Sequence, residues 1–221
     1  MELQRPLPLY IQVYQVLRQK ILEGQFTPGE TMLESRIAEQ LGVSRTPVRE
    51  ALRQLVSERL VVSSGSELTV INPDLSAIRE LYTCRGALEA IVAVRASELA
   101  DESDIVQMSE ALCEAEAAIQ SEQHVQVFSA NTRFHDSMVT SARMPLLSEL
   151  LETIRGPILI ARRHILSRSA EVETAIIAEH RKILEAIEQH NPELAKQRME
   201  EHMRNDMSRA ALTNGETASG T

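Results

Sequence analysis

Three arginines, Arg45, Arg49 and Arg53, recur at i, i+4 and i+8. On a helix that spacing puts their guanidinium groups on one face. They belong to residues 34–60, ESRIAEQLGVSRTPVREALRQLVSERL, which read as two short helices joined by a tight turn at Gly42-Val43-Ser44. An arginine-faced helix braced by a short apolar helix is what a DNA major groove accepts. Arg45 or Arg49 can present two N–H groups to guanine O6 and N7, a pair worth about 1–3 kcal/mol of discrimination. Ser44 and Thr46 stand at the helix start, where hydroxyls and backbone N–H groups meet phosphate. A second group of residues carries different chemistry. Of six histidines, His135 lies four residues after Asn131, so the two share a helix face. His180 and His202 fall on the last two helical segments. The chain contains no nucleophile motif and no glycine-rich phosphate loop.

These residues need elements to hold them. Leu9, Val13, Val16, Leu17 and Ile21 repeat with helical spacing, and Gly24 ends that helix. The arginine helix starts near Ser44 or Thr46, either a good N-cap, with Pro47 in its first turn. Val48, Leu52, Leu55 and Val56 face inward. Two short β-type runs around Leu60-Val61-Val62 and Leu68-Thr69-Val70 flank SSGSE, which predicts a hairpin. Helix, helix-turn-helix and hairpin together describe a winged helix. Asn72-Pro73-Asp74 reads as a linker. Beyond it the periodicity is helical throughout, over 75–99, 104–120, 125–140, 145–167, 171–189 and 191–212. Gly156-Pro157 should kink or break the fourth of these. The expected fold is mainly α, an N-terminal winged helix-turn-helix followed by an all-α antiparallel helical bundle. The domains fall at 1–72 and 73–212, with a disordered tail at 213–221.

Composition bounds the rest. The 221 residues are 43% hydrophobic and 3% aromatic, without Trp, so the cores are aliphatic. The net charge of −9 is uneven. Residues 1–70 hold eight Lys/Arg and eight Asp/Glu, and residues 71–221 hold 15 and 24. A neutral N-terminal module beside an acidic body leaves that module as the DNA contact surface. Cys84 and Cys113 have no motif spacing, which suits packing thiols in a reducing cytoplasm. No apolar run approaches the ~18 residues of a membrane span, and the N-terminus carries no secretion signal.

LGVSRTPVREALRQL with the hairpin after it resembles the DNA-binding domain of GntR-type bacterial regulators. The helical remainder resembles the FCD-type ligand domain of the FadR subfamily. The resemblance covers residues 7–212. It implies DNA contact by Ser44, Arg45, Thr46 and Arg49, with Arg36, Arg53 and the hairpin glycine Gly65 nearby. Two departures stand out. Ser35 occupies a position where relatives often carry Arg, and neighbouring Arg36 is about 100° round the helix. The hairpin holds no Lys or Arg and includes Glu67. We therefore expect weak wing contact and heavier reliance on the recognition helix.

In the FCD class an Asp or Asn and three His bind a divalent metal, and Asn131, His135, His180 and His202 match that order. Three imidazoles favour Zn or Ni, with Co or Mn also accommodated. Asn131 is the neutral alternative to aspartate, so binding should be weaker and the metal centre more positive. The resemblance also implies that Arg85 clamps an effector carboxylate, for which a guanidinium fork is suited. Arg133 and Arg162 are further candidates for that pocket. His124, His164 and His190 fit no pattern and read as structural or solvated.

The expected function is a cytoplasmic, homodimeric transcriptional repressor on a pseudo-palindromic operator in double-stranded DNA. It would respond to a small carboxylate, with no membrane partner. The alternative is a DNA-binding dimer whose metal is purely structural and which has no effector. A metalloenzyme is disfavoured, because Glu179 and Glu201 adjoin histidines only in sequence and point about 100° away, leaving no general base.

Overall fold

A computed structural model describes residues 7–166 and 169–216. Among these are nine helices and one two-stranded antiparallel sheet. Two compact units are present. One comprises Met1–Asn72 with Thr153–Ile160, the other Pro73–Glu152 with Ala161–Thr221. The capture of 153–160 by the first unit has no sequence signal.

The first unit is built from α1 (Leu9–Glu23), α2 (Glu34–Leu41), α3 (Arg45–Ser57), β1 (Val61–Ser64) and β2 (Glu67–Val70). Gly42 ends α2 in the left-handed region, φ 65°, where a β-carbon is strained. Only three residues then separate α2 from α3, so the turn between them is tight. Ser44 is the N-cap of α3, yet its hydroxyl makes no capping bond. Val48, Ala51, Leu52 and Leu55 of α3 are fully buried against Val13, Leu17 and Ile21 of α1 and Ile37 of α2. Leu52→Ala should therefore cost about 2–5 kcal/mol, read as a lower urea midpoint for this unit. Loss under 1 kcal/mol would contradict that packing.

The hairpin pairs Val61 with Val70 and Ser64 with Glu67, leaving a two-residue turn that starts at left-handed Gly65, φ 62°. Residues 29–32 also pair with β2, through Gly29 N–H to Val70 O, Val70 N–H to Glu30 O and Met32 N–H to Leu68 O. The sequence pattern did not reveal this pairing, because the segment has no apolar alternation.

The second unit draws on α4 (Leu75–Leu99), α5 (Glu102–Gln120), α6 (His124–Ser141), α7 (Pro145–Leu166), α8 (Ala170–Glu188) and α9 (Pro192–Glu216). Asp74 caps α4, Asp101 and Asp104 form a capping box on α5, and Ser169 caps α8. The core is aliphatic: Val92, Met108, Leu112, Met138, Ile183 and Ile187 are fully buried, with Phe134 at the centre. Helix α7 does not break at Gly156-Pro157 but runs on with Pro157 inside it. Helix α9 continues four residues past the expected end at Leu212, and the remainder of the expected tail, 217–221, lies outside the described residues. Cys84 and Cys113 are both free and exposed, not packing thiols. Each sits on a helix face turned from the core. No described helix is long and apolar enough to cross a membrane.

Candidate functional site

On α3, Arg45, Arg49 and Arg53 all project outward, opposite the buried Val48–Leu55 face. Ser44, Thr46, Arg36 and Gly65 are exposed as well. The helix begins with no acidic residue in its first turn, so its dipole and free N–H groups remain open to phosphate. At Gly65 nothing lies within 4 Å of the space a β-carbon would take. Arg49 is not a free cation. Its Nε donates to Glu34 Oε1 at 2.9 Å and its Nη2 to Glu34 Oε2 at 3.0 Å. That hydrogen bond, opposed by a little burial and helped by the charges of Arg45 and Arg53, lowers the Glu34 pKa. Glu34 was not singled out from sequence, since its partner lies fifteen residues away across the turn.

The second constellation lies inside the second unit. His135 of α6, His180 of α8 and His202 of α9 are each buried. Their Nε2 atoms meet: His135 to His180 at 3.1 Å and His180 to His202 at 3.1 Å. The outer nitrogens are held. His135 Nδ1 donates to Glu89 at 2.8 Å, and His202 Nδ1 to Glu179 at 2.8 Å. Protons on those Nδ1 atoms leave both Nε2 atoms as lone pairs. His180 Nε2 holds at most one proton, which can serve only one of them. At least one 3.1 Å contact is then lone pair against lone pair. Burial holds His135 and His180 well below the usual histidine pKa, so extra protons do not resolve the conflict.

A cation does resolve it. Two nitrogens about 2.1 Å from one ion stand roughly 3.0–3.4 Å apart for angles between right and tetrahedral. The paired carboxylates fit too, because metal-binding histidines usually donate their second N–H to such a group. Asn131, 1% exposed on the same face of α6 as His135, leaves its Oδ1 without a hydrogen bond. The four expected donors thus include an unpartnered oxygen and three convergent nitrogens. Glu179 is bonded by His202, Arg209 and Asn205. Burial opposes its ionisation, but the His202 and Arg209 hydrogen bonds outweigh it and hold its pKa at about 2.

Around these lie buried charges. Arg85, fully buried, donates from Nε to Glu89 at 2.6 Å, and its Nη2 lies 3.2–3.3 Å from the ring nitrogens of His135. Its Nη1 has no hydrogen bond and is 3.7 Å from Asp206 Oδ2. Arg162 is buried with its Nε unpartnered. Burial, and then the charge of Arg85, push its pKa down to about 10, which still leaves it cationic at neutral pH. The buried Tyr82 hydroxyl is also unpartnered, and burial pushes its pKa up.

Arg133 departs from expectation. It is exposed and pairs with Glu114 of α5. Two residues from both Asn131 and His135, it lies about 200° round the helix from each. His124 bonds Glu173 at 2.9 Å and His190 bonds Ser97 O at 2.9 Å, both structural contacts. The His164 side chain lies outside the described residues. Glu89, Asp206 and Tyr82 were missed, although Glu89 follows Arg85 by four, Asp206 follows His202 by four, and Tyr82 precedes Arg85 by three. Those spacings are the signal that could have found them.

Comparison with known proteins fits this division. Residues 9–71 match the gntR family model of bacterial regulatory proteins, and residues 80–205 match the FCD domain. The HTH-type transcriptional regulator YdhC of Bacillus subtilis is 31% identical over 207 residues, covering 93% of this chain and 92% of that protein. The gluconate operon transcriptional repressor of the same species is 28% identical, covering 80% of this chain and 74% of that protein. The HTH-type transcriptional repressor RspR of Escherichia coli is 24% identical, covering 89% of this chain and 86% of that one. Among solved structures, E. coli McbR/YncC superposes with a TM-score of 0.81 at 24% identity, over 94% of this chain and 99% of that one. A GntR regulator from Rhodococcus gives 0.79 at 25% identity, over 91% and 97%. This chain belongs to the GntR family of bacterial transcriptional regulators, DNA-binding proteins that here carry an FCD domain after the winged helix.

Proposed function

We propose that this regulator is a repressor whose FCD domain senses a small carboxylate beside a divalent metal. Asn131, His135, His180 and His202 would hold the ion, Zn or Ni by their nitrogen-rich chemistry. The observation that carries this reading is the meeting of three Nε2 atoms, two of them fixed as acceptors, at 3.1 Å. When bound, the ion supplies positive charge and open positions for an anionic oxygen. Glu89 and Glu179 fix the histidine tautomers. Arg162 Nε, Tyr82 Oη and Arg85 Nη1 are buried donors lacking acceptors, and an anion would supply them. The guanidinium groups of Arg85, Arg162 and Arg209 are matched in number by the carboxylates of Glu89, Glu179 and Asp206. With neutral imidazoles, a divalent ion leaves the site with excess positive charge. That excess favours a compact anion such as a hydroxy acid, sugar acid or dicarboxylate.

A homodimer would place two α3 helices on a pseudo-palindromic operator. The effector acts only by binding one arrangement of the dimer better than the other. The repressor sense draws support from relatives named as repressors. A second reading is a purely structural metal, and one observation favours it: Arg85 already has carboxylate partners in Glu89 and Asp206.

A thermal-shift screen of small carboxylates, with and without chelator, separates the two. Sensing predicts a carboxylate that raises Tm only in metal-loaded protein that stays folded on chelation. Unfolding on chelation, with no carboxylate effect, supports the structural metal. Asn131→Asp should tighten metal binding by adding a charged ligand, read by competition with a chromophoric chelator; weaker binding would remove Asn131 from the donor set.

A further inference from the structure

We infer that Glu34 is a positioning residue for DNA reading: it holds Arg49 side-on and leaves the end-on edge of the guanidinium aimed outward. This rests on the reading that α3 reads DNA. A guanidinium carries five N–H groups in a planar fork. Glu34 takes the Nε–H and one Nη2–H, with N···O distances of 2.9–3.2 Å. The other Nη2–H and both Nη1–H groups remain, and these form the end-on pair that matches guanine O6 and N7.

The pair is exposed, with side chains 54% and 28% accessible, so its contribution to folding is small. Its effect lies elsewhere. An arginine on a solvated helix face loses rotamer freedom when it docks, and one already held loses less. Glu34 stands in the first turn of α2, whose dipole favours a carboxylate there. Its charge also offsets one cation of the DNA face, which weakens sequence-independent attraction. The first effect favours discrimination, and the second lowers bulk affinity for any duplex. They bear more weight here because the wing from Val61 to Ile71 contributes no cation.

The test compares the full-length protein on a duplex selected by it from random sequence and on a scrambled duplex, at several salt concentrations. Glu34→Gln should lower the selected-to-scrambled affinity ratio about tenfold. It should also strengthen binding to the scrambled duplex and steepen the salt slope by about one unit. Glu34→Ala should repeat the loss of ratio, with Tm of both variants near that of the parent. On an Arg49→Ala background neither change should lower the ratio further. An unchanged ratio in Glu34→Gln, or a raised one, as for a latch that withholds Arg49 from DNA, would overturn the inference. So would an equal loss on the Arg49→Ala background. If Arg49→Ala alone leaves the ratio unchanged, Arg49 is not the base reader and this inference falls, whereas the reading of α3 falls only if Arg45→Ala leaves the ratio unchanged as well.

Discussion

Arg49→Ala is expected to cut the preference for operator over random DNA about tenfold or more, the 1–3 kcal/mol of one bidentate base contact. Val48, Ala51, Leu52 and Leu55 commit one face of α3 to the core, so Arg45, Arg49 and Arg53 must face outward. Removing Arg49 from that face leaves the core untouched, and stability should change little. Random DNA should lose less, because Arg36, Arg45 and Arg53 remain to meet phosphate. Parallel titrations of both duplexes at one salt concentration check this. Equal loss on both would make Arg49 a phosphate contact and move base reading to Arg45.

His180→Ala should abolish stoichiometric metal. Its Nε2 is the nitrogen that meets both of the others. Its Nδ1 has no partner, so no other role in the network competes with ligation. Loss of a direct ligand should exceed the roughly 10–100-fold that follows from deleting outer partners of a metal site. Glu89→Gln and Glu179→Gln supply that lesser scale, since each changes only what holds a histidine. His124→Ala is the control, a histidine on the same helix as His135 but bonded to Glu173. Elemental analysis of the four variants should therefore rank His124→Ala highest and His180→Ala lowest. Undiminished metal in His180→Ala would refute the site.

The legibility of these features in sequence follows their range. The winged helix was readable because its signals are local: Gly42 for the turn, Pro47 in the first helical turn, and apolar spacing in α1 and α3. The pairing of residues 29–32 with β2 was not, since a single short bridge carries no period. The expected break at Gly156-Pro157 does not occur, because one missing N–H does not stop a helix whose flanking residues Ile158–Ala161 are buried. Convergence of the histidines from three helices depends on packing and came from the order of motifs. Glu179 shows the limit of reasoning along one helix. It points away from neighbouring His180 and for that reason meets His202 on α9. Arg133 fails by the same geometry, near Asn131 and His135 in number but on the opposite face.

The sensing proposal depends on an ion held by imidazoles. X-ray absorption on the purified, metal-loaded protein tests that most directly. The predicted result is one divalent ion per chain with imidazole scattering from three histidines and lighter oxygen donors, lost in His180→Ala. Substoichiometric metal after loading, or a shell without imidazole scattering, would contradict it.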